Sequence, residues 1–335
     1  MATDTSSQVD AALDAAANVL SDATDVALAC HVNPDPDALG SMLGLSAFLR
    51  SRGARTVCSY GNDPFELAPW VGALPGTDGL VPPRDFPKDP AVLVTLDSAS
   101  IDRLGQLAPA AARAGTVIWI DHHVSNEGLG TIPVIDPGSS STAELVYRLM
   151  KRMGGDIPTE SAACLWAGIV TDTGRFQYES TTPETLRLAA ELRSYPFEHA
   201  GLAQALFEDN SVAYLRVLAV ALQRLVFDDG VGLVWTYVTQ TDLADAGAGV
   251  GETDDMIDVI RTAREADVAA VLKQQRDGRF KVSMRSRGGT DLATVAAGFG
   301  GGGHRLAAGY TSKVGALETI RLLTAAILEA RSRSA

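Results

Sequence analysis

Short apolar runs alternate with helix-patterned stretches through the first 170 residues, and this alternation constrains the fold more than any other feature of the chain. Asp25–Cys30 (DVALAC) is the first such run, and Thr56–Tyr60, Ala91–Leu96, Thr116–Ile120 and Thr131–Ile135 follow. Residues 7–21, Ala38–Arg52 (stopped by Gly53), Ser141–Met153 and Glu160–Ile169 carry helical patterning. Apolar runs of strand length, bounded by turn residues, are what strands buried on both faces look like. Strands alternating with helices predict an α/β fold with a doubly wound, mostly parallel sheet. Ligands of such sheets bind outside the carboxyl ends of the strands.

Polar residues fall at those ends. His31 follows the first run, Asp97 follows VLVTL, and Asp121-His122-His123 follows TVIWI. His31, Asp35 and Asp37 share one strand-to-helix turn, stiffened by Pro34 and Pro36. Asp172 follows a further apolar segment. A lone Asp after a strand is usually a turn or cap residue, and a polar loop would account for residues 121–123 alone. Six such residues on one sheet edge are a different matter. Two imidazoles and four carboxylates suit Mn²⁺ or Mg²⁺, and are compatible with Zn²⁺ or Fe²⁺. The lack of Cys among them argues against structural zinc. Two metals about 3.5–4 Å apart, bridged by one carboxylate, are a means of hydrolysing phosphoesters.

The chain has 335 residues, 46% of them hydrophobic, enough for two ordinary cores. Thr182–Asn210 reads as an amphipathic helical stretch. Beyond it, Gln223–Phe227, Val231–Val238, a helix near Thr253–Arg264, Val268–Gln274, Phe280–Arg285 and a last helix from about Gly315 to Ala330 predict a smaller α/β domain. The expected division is a catalytic domain over 1–185, a helical connector over 186–215 and a substrate-binding domain over 216–335. Net charge is −13, and residues 1–210 carry −14 of it against +1 for 211–335. Within 261–305 the balance is +5. The first half thus suits cations and the second contains a stretch suited to an anion, while the acidic total disfavours long nucleic acid. No apolar run reaches the ~18 residues of a membrane span, and the first 20 residues do not read as a secretory signal. Cys30, Cys58 and Cys164 form no paired motif, so the expectation is a cytoplasmic protein with thiols in its core.

A glycine run, Gly300 to Gly303, precedes His304 and Arg305. Glycine lets backbone approach a ligand and aim N–H groups at an anion, although a flexible loop explains such a run equally simply. Arg285, ending FKVSMR, is a further anion candidate. For Arg103 a phosphate contact and an ordinary surface arginine fit the sequence alike, and His199 reads as structural.

The segments HVNPDPDALGS (31–41), VTLDSAS (94–100), DHH (121–123), SSSTAELVY (139–147), GIVTDTGRF (168–176) and GGGHRLAAGY (301–310) resemble, in order, those of the DHH phosphoesterase superfamily. Within it the chain is most similar to NrnA-type bifunctional oligoribonucleases and 3′-phosphoadenosine 5′-phosphate phosphatases. The resemblance implies one metal on His31, Asp35 and Asp97 and a second on Asp37, Asp97, His122 and Asp172, with Mn²⁺ favoured over Mg²⁺. It implies that Asp121 orients His122, that His123 faces the scissile phosphate, and that Gly301, Gly302, Gly303 and His304 bind substrate, while Arg285, from its place at the end of FKVSMR, is expected to reach the same cleft. The implied activity is hydrolysis of short RNA to 5′-mononucleotides, with 3′-phosphoadenosine 5′-phosphate as another substrate. It allows cyclic dinucleotides and permits a homodimer. One departure is Pro36, where family members often have Gly. A pyrophosphatase and a nucleotide-sensing module that binds without cutting are the alternatives; the GGGHRLAAGY block disfavours the first and the full ligand set the second.

Overall fold

The alternation read from the sequence produces nine elements in close succession, seen here in a computed structural model that describes residues 2–126 and 128–334. They are α1 (Ala2–Asp22), β1 (Asp25–Cys30), α2 (Pro36–Ser51), β2 (Arg55–Tyr60), β3 (Val92–Leu96), α3 (Ala108–Arg113), β4 (Thr116–Asp121), β5 (Ile132–Ile135) and α4 (Thr142–Met153). Three more helices, α5 (Thr159–Asp172), α6 (Pro183–Arg193) and α7 (His199–Phe207), complete the first of two units, residues 1–209. Its five strands are all parallel, in the order β2-β1-β3-β4-β5. Strand β1 shows why the apolar runs lack alternation. Val26, Leu28 and Cys30 face the core under α1, α2, α4 and α5, while Ala27 and Ala29 pack with Leu104, Leu107 and Ala111 on the other side. Both faces are covered, so both sets of positions are apolar. The three thiols are buried, as expected of core residues.

The strand order jumps between β1, flanked by β2, and β3, and this switch point opens at the carboxyl end of β1, where His31 begins. There α2 starts with Asp35 as its N-cap, the side chain accepting from the Ala38 N–H, and Pro36 in the first turn. Proline suits that position because its φ is already helical and its missing N–H has no helical partner there. Asp37 therefore lies inside α2, one residue beyond the turn. Close passage of α2 and α5 depends on Gly40, since a Cβ there would stand 2.4 Å from the Cys164 carbonyl oxygen.

Helices α6 and α7, which overlap the stretch 186–215, bury Leu188, Leu192 and Leu202 in the first core. His199 packs edge-on against Trp166, with ring centroids 4.4 Å apart.

The second unit, residues 210–335, comprises α8 (Val212–Gln223), β6 (Val226–Asp228), β7 (Leu233–Val238), α9 (Gln240–Ala246), α10 (Met256–Ile260), β8 (Val268–Gln274), β9 (Phe280–Ser286), α11 (Leu292–Ala297), β10 (Gly302–His304), β11 (Ala307–Ser312) and α12 (Ala316–Ser334). Its six-stranded sheet runs β10-β11-β9-β8-β7-β6 and is mixed, with β7 and β8 the parallel pair. Val268, Ala270 and Leu272 face a core with residues of α11 and α12, while Ala269 and Val271 face one with residues of α8 and α10. Among the described residues no helix is long and apolar enough to cross a membrane.

Candidate metal centre

Every donor proposed from the sequence in the first unit arrives at the carboxyl edge of its sheet. Asp97, the residue after β3, is 3% exposed and holds a left-handed backbone, φ 56°. Asn33, between His31 and Asp35, is left-handed too, at φ 52°. Such conformations cost about 1–3 kcal/mol outside glycine and persist where the surroundings impose them. At Asp97 the conformation turns the side chain into the site at the strand end, while Asn33 stays exposed and exchanges hydrogen bonds with Asn62.

Asp97 is the hub. Its Oδ2 lies 3.3 Å from His31 Nε2, which is in turn 3.7 Å from Asp35 Oδ2. Its Oδ1 lies 3.6 Å from His122 Nε2, and that nitrogen is 3.2 Å from Asp172 Oδ2. Donor atoms of His31, Asp35 and Asp97 are thus grouped within 4.8 Å, and so are those of Asp37, His122 and Asp172, spacings suited to metal ions. Asp172 sits in the last turn of α5, which runs three residues further than its apolar pattern predicts.

The electrostatics fit cations. Burial and the neighbouring Asp97 charge push the carboxyl groups of Asp37 and Asp172 well above the usual range. Asp97 goes the other way: against its burial, the hydrogen bond and charge of His31 hold it low. Burial opposes protonation of His31 as well, but Asp35 and Asp97 outweigh it and raise the ring to about 10. Four carboxylates share two imidazoles at this edge, and divalent ions would supply the missing positive charge.

A helix N-terminus supports the cluster. Asp37 Oδ2 accepts from the Thr142 N–H at 2.7 Å and its Oδ1 from the Ala143 N–H at 2.9 Å, both in the first turn of α4. Those amides have no partner within the helix, and the helix dipole favours an anion there. Gly168 makes room for the arrangement, since a Cβ at that position would lie 2.6 Å from Asp37 Oδ1. The Thr142 hydroxyl donates to Asp97 Oδ1 at 2.9 Å. The sequence marks this serine- and threonine-rich block as a helix start but gives no sign that Thr142 reaches Asp97, 45 residues away. Thr142→Val keeps the amide and removes the hydroxyl. Apparent Mn²⁺ affinity, read by titration, should fall about 10- to 100-fold, the usual effect of losing a group that orients a ligand.

Asp121 differs from the expectation in its partner. It does not hold the His122 ring: its Oδ1 accepts from His123 Nδ1 at 2.6 Å and from the His122 backbone N–H at 2.9 Å. Alternation along an extended chain explains this, because residues two apart project to the same side and adjacent residues do not. Asn126, also missed, donates to Asp121 Oδ2 at 2.8 Å. Burial lowers the affinity of His123 for a proton, but the Asp121 hydrogen bond and the charges of Asp97, Asp121 and Asp172 raise it to about 9. His123 Nδ1 is 3.7 Å from Asp97 Oδ1, and Asp97, His122 and His123 form a third group of donor atoms within 4.8 Å of one another.

The remaining candidates belong to the second unit. The glycine run is partly strand, with β10 paired antiparallel to β11. Gly301 and Gly303 are required by this pairing: a Cβ would lie 2.2 Å from the Gly309 carbonyl oxygen at the first and 2.5 Å from that of Ala307 at the second. Gly302 meets nothing within 4 Å and is where a ligand has room. The His304 side chain lies outside the described residues. Ala307 is the register partner of both His304 and Arg285, so the three occupy one row across β10, β11 and β9. Arg285 is partly buried, with Nη1 donating to its neighbour's carbonyl, Met284 O, at 3.1 Å.

A parallel sheet with such an acid–imidazole centre at its switch point suits a metal-dependent phosphoesterase. The pattern of the DHH family N-terminal domain matches residues 25–169, and that of the DHHA1 domain matches residues 230–330. The chain belongs to the DHH family. It is 36% identical over 293 residues to the bifunctional oligoribonuclease and PAP phosphatase NrnA of Thermus thermophilus, covering 85% of this chain and 83% of that one. A probable enzyme of the same name from Streptococcus mutans is 30% identical, with 84% of this chain and 87% of that one covered. The crystal structure of an exopolyphosphatase-related protein from Bacteroides fragilis superposes with TM-score 0.90 at 26% identity, covering 96% and 97% of the two chains.

Proposed function

We propose that this protein hydrolyses short oligoribonucleotides to 5′-mononucleotides and removes the 3′-phosphate of 3′-phosphoadenosine 5′-phosphate. The observation that carries the reading is Asp97, buried, and placed between His31 and His122 with one oxygen toward each. His31, Asp35 and Asp97 would hold one divalent ion, and Asp37, Asp97, His122 and Asp172 a second. The oxygen-rich donor set favours Mn²⁺, with Mg²⁺ as the alternative. When bound, the pair supplies a nucleophilic water at neutral pH and neutralises phosphoryl charge.

The chain's own residues do the rest. Asp97 fixes the spacing of the two donor groups, and α4 fixes Asp37 through two amides. Asp121 locks Nδ1 of His123, so Nε2 is the atom that serves the substrate. A protonated His123 there stabilises the phosphoryl charge and gives its proton to the departing 3′-oxygen as water adds to phosphorus and the P–O3′ bond breaks. Cyclic dinucleotides and their linear products contain the same linkage and fall within the chemistry.

The second unit would bind the nucleotide through Arg285, the exposed backbone at Gly302 and His304, with Gly301 and Gly303 permitting the strand pairing. A kinetic comparison of dinucleotide, 3′-phosphoadenosine 5′-phosphate and cyclic dinucleotide in Mn²⁺ tests the function directly; no turnover of any of them contradicts it. In the same assay Arg285→Ala should lower kcat/KM for the dinucleotide about ten- to a hundred-fold, the effect of one charge-assisted contact. Bis(p-nitrophenyl) phosphate should lose much less, and metal content should not change. Equal losses on both substrates would assign Arg285 to the fold instead.

A further inference from the structure

Asp121 meets the His123 ring and the His122 N–H through the same oxygen, Oδ1. Rotation of an Asp carboxylate about its last bond has only broad, two-fold minima. Two bonds to one oxygen therefore leave the plane of the group to be set by whatever meets the other. Asp121 is fully buried, so bulk solvent does not supply that partner. The side-chain amide of Asn126 does, donating to Oδ2 at 2.8 Å.

The amide is itself fixed. Its oxygen accepts from the Gly128 N–H at 3.0 Å and from the Leu129 N–H at 3.3 Å. Both partners are donors, so the oxygen and nitrogen of the amide cannot exchange places. The nitrogen has two hydrogens to give. One goes to Asp121 Oδ2 and the other to the Ser98 carbonyl oxygen, at 3.2 Å. Ser98 is the residue after Asp97, and its carbonyl also accepts from Nε1 of the buried Trp119 on β4, at 2.6 Å. The Asn126 backbone N–H donates to the His123 carbonyl at 3.1 Å, closing the turn on which the amide sits. Asn126 thus ties the end of β4 to the residue that follows Asp97, and it does so through its amide nitrogen.

We infer that Asn126 is a positioning residue for catalysis: by holding Oδ2 it sets the plane of the Asp121 carboxylate, and through Oδ1 the orientation of the His123 ring toward the substrate phosphate. This rests on the role proposed for His123 above. A residue that served only its own turn would need the amide oxygen alone. Asn126→Asp separates the two roles, since it keeps an oxygen for Gly128 and Leu129 and replaces the donor to Asp121 with a second oxygen. Dinucleotide turnover in saturating Mn²⁺ is measured for this variant and for Asn126→Ala, each with and without His123→Ala. Both single variants should lower kcat about 10- to 100-fold, the usual effect of losing a group that orients a functional side chain. KM and bound Mn²⁺ should not change. In the His123→Ala background the same substitutions should cost less than about two-fold more, because groups that act as a unit are not additive. Wild-type kcat in Asn126→Asp would overturn the inference and leave Asn126 to its turn. Equal losses with and without His123 would also overturn it, as would loss of Mn²⁺, which would make Asn126 a support for the metal ligands. If His123→Ala alone left kcat unchanged, the role proposed for His123 would fail, and this inference with it.

Discussion

Asp97→Ala should abolish hydrolysis of every substrate and reduce bound Mn²⁺ to at most one ion per chain. Among the described residues the side chain is the one carboxylate close to both imidazoles, 3.3 Å from His31 and 3.6 Å from His122. Its removal would take a ligand from each of the two proposed metals and relax the spacing that a bridged pair would need. Metal stabilisation of a phosphoryl transition state is worth several kcal/mol, so turnover should fall on the order of 10³-fold or more. The left-handed backbone at this position suits Asn nearly as well as Asp, so Asp97→Asn offers the same test with less risk to the fold. Near-normal turnover with two metals bound in either variant would refute the assignment.

His123→Ala should behave differently. Both metals should stay, while kcat drops about 10²–10⁴-fold, the range for a positioned acid–base group. The geometry separates this histidine from its neighbour: His123 donates Nδ1 to Asp121, whereas His122 presents Nε2 to Asp97 and Asp172. His122→Ala should therefore lose metal. Metal lost from the His123 variant and kept in the His122 variant would reverse the two roles.

The sequence makes the frame of this site legible because one rule governs both fold and chemistry. In a parallel sheet covered on both faces the strands are apolar throughout, so the first polar residue after each marks the edge where ligands bind. His31, Asp97 and Asp121 stood out for that reason. Contacts between segments far apart in sequence were not legible. Nothing in SSSTAELVY says that its amides would reach back to Asp37, 105 residues earlier. The resemblance implied that Asp121 orients His122, whereas the two-residue period of an extended chain brings Asp121 to His123. The glycine run shows another limit: a glycine required by its own chain at 301 and 303 looks the same in sequence as one left open at 302.

The central claim is that Asp97 bridges two divalent ions. Anomalous diffraction from crystals soaked in Mn²⁺, recorded at the manganese edge, tests it most directly. The account expects two peaks about 3.5–4 Å apart, both in contact with Asp97, one beside His31 and Asp35 and the other beside Asp37, His122 and Asp172. A single peak, or two that do not share Asp97, would contradict it.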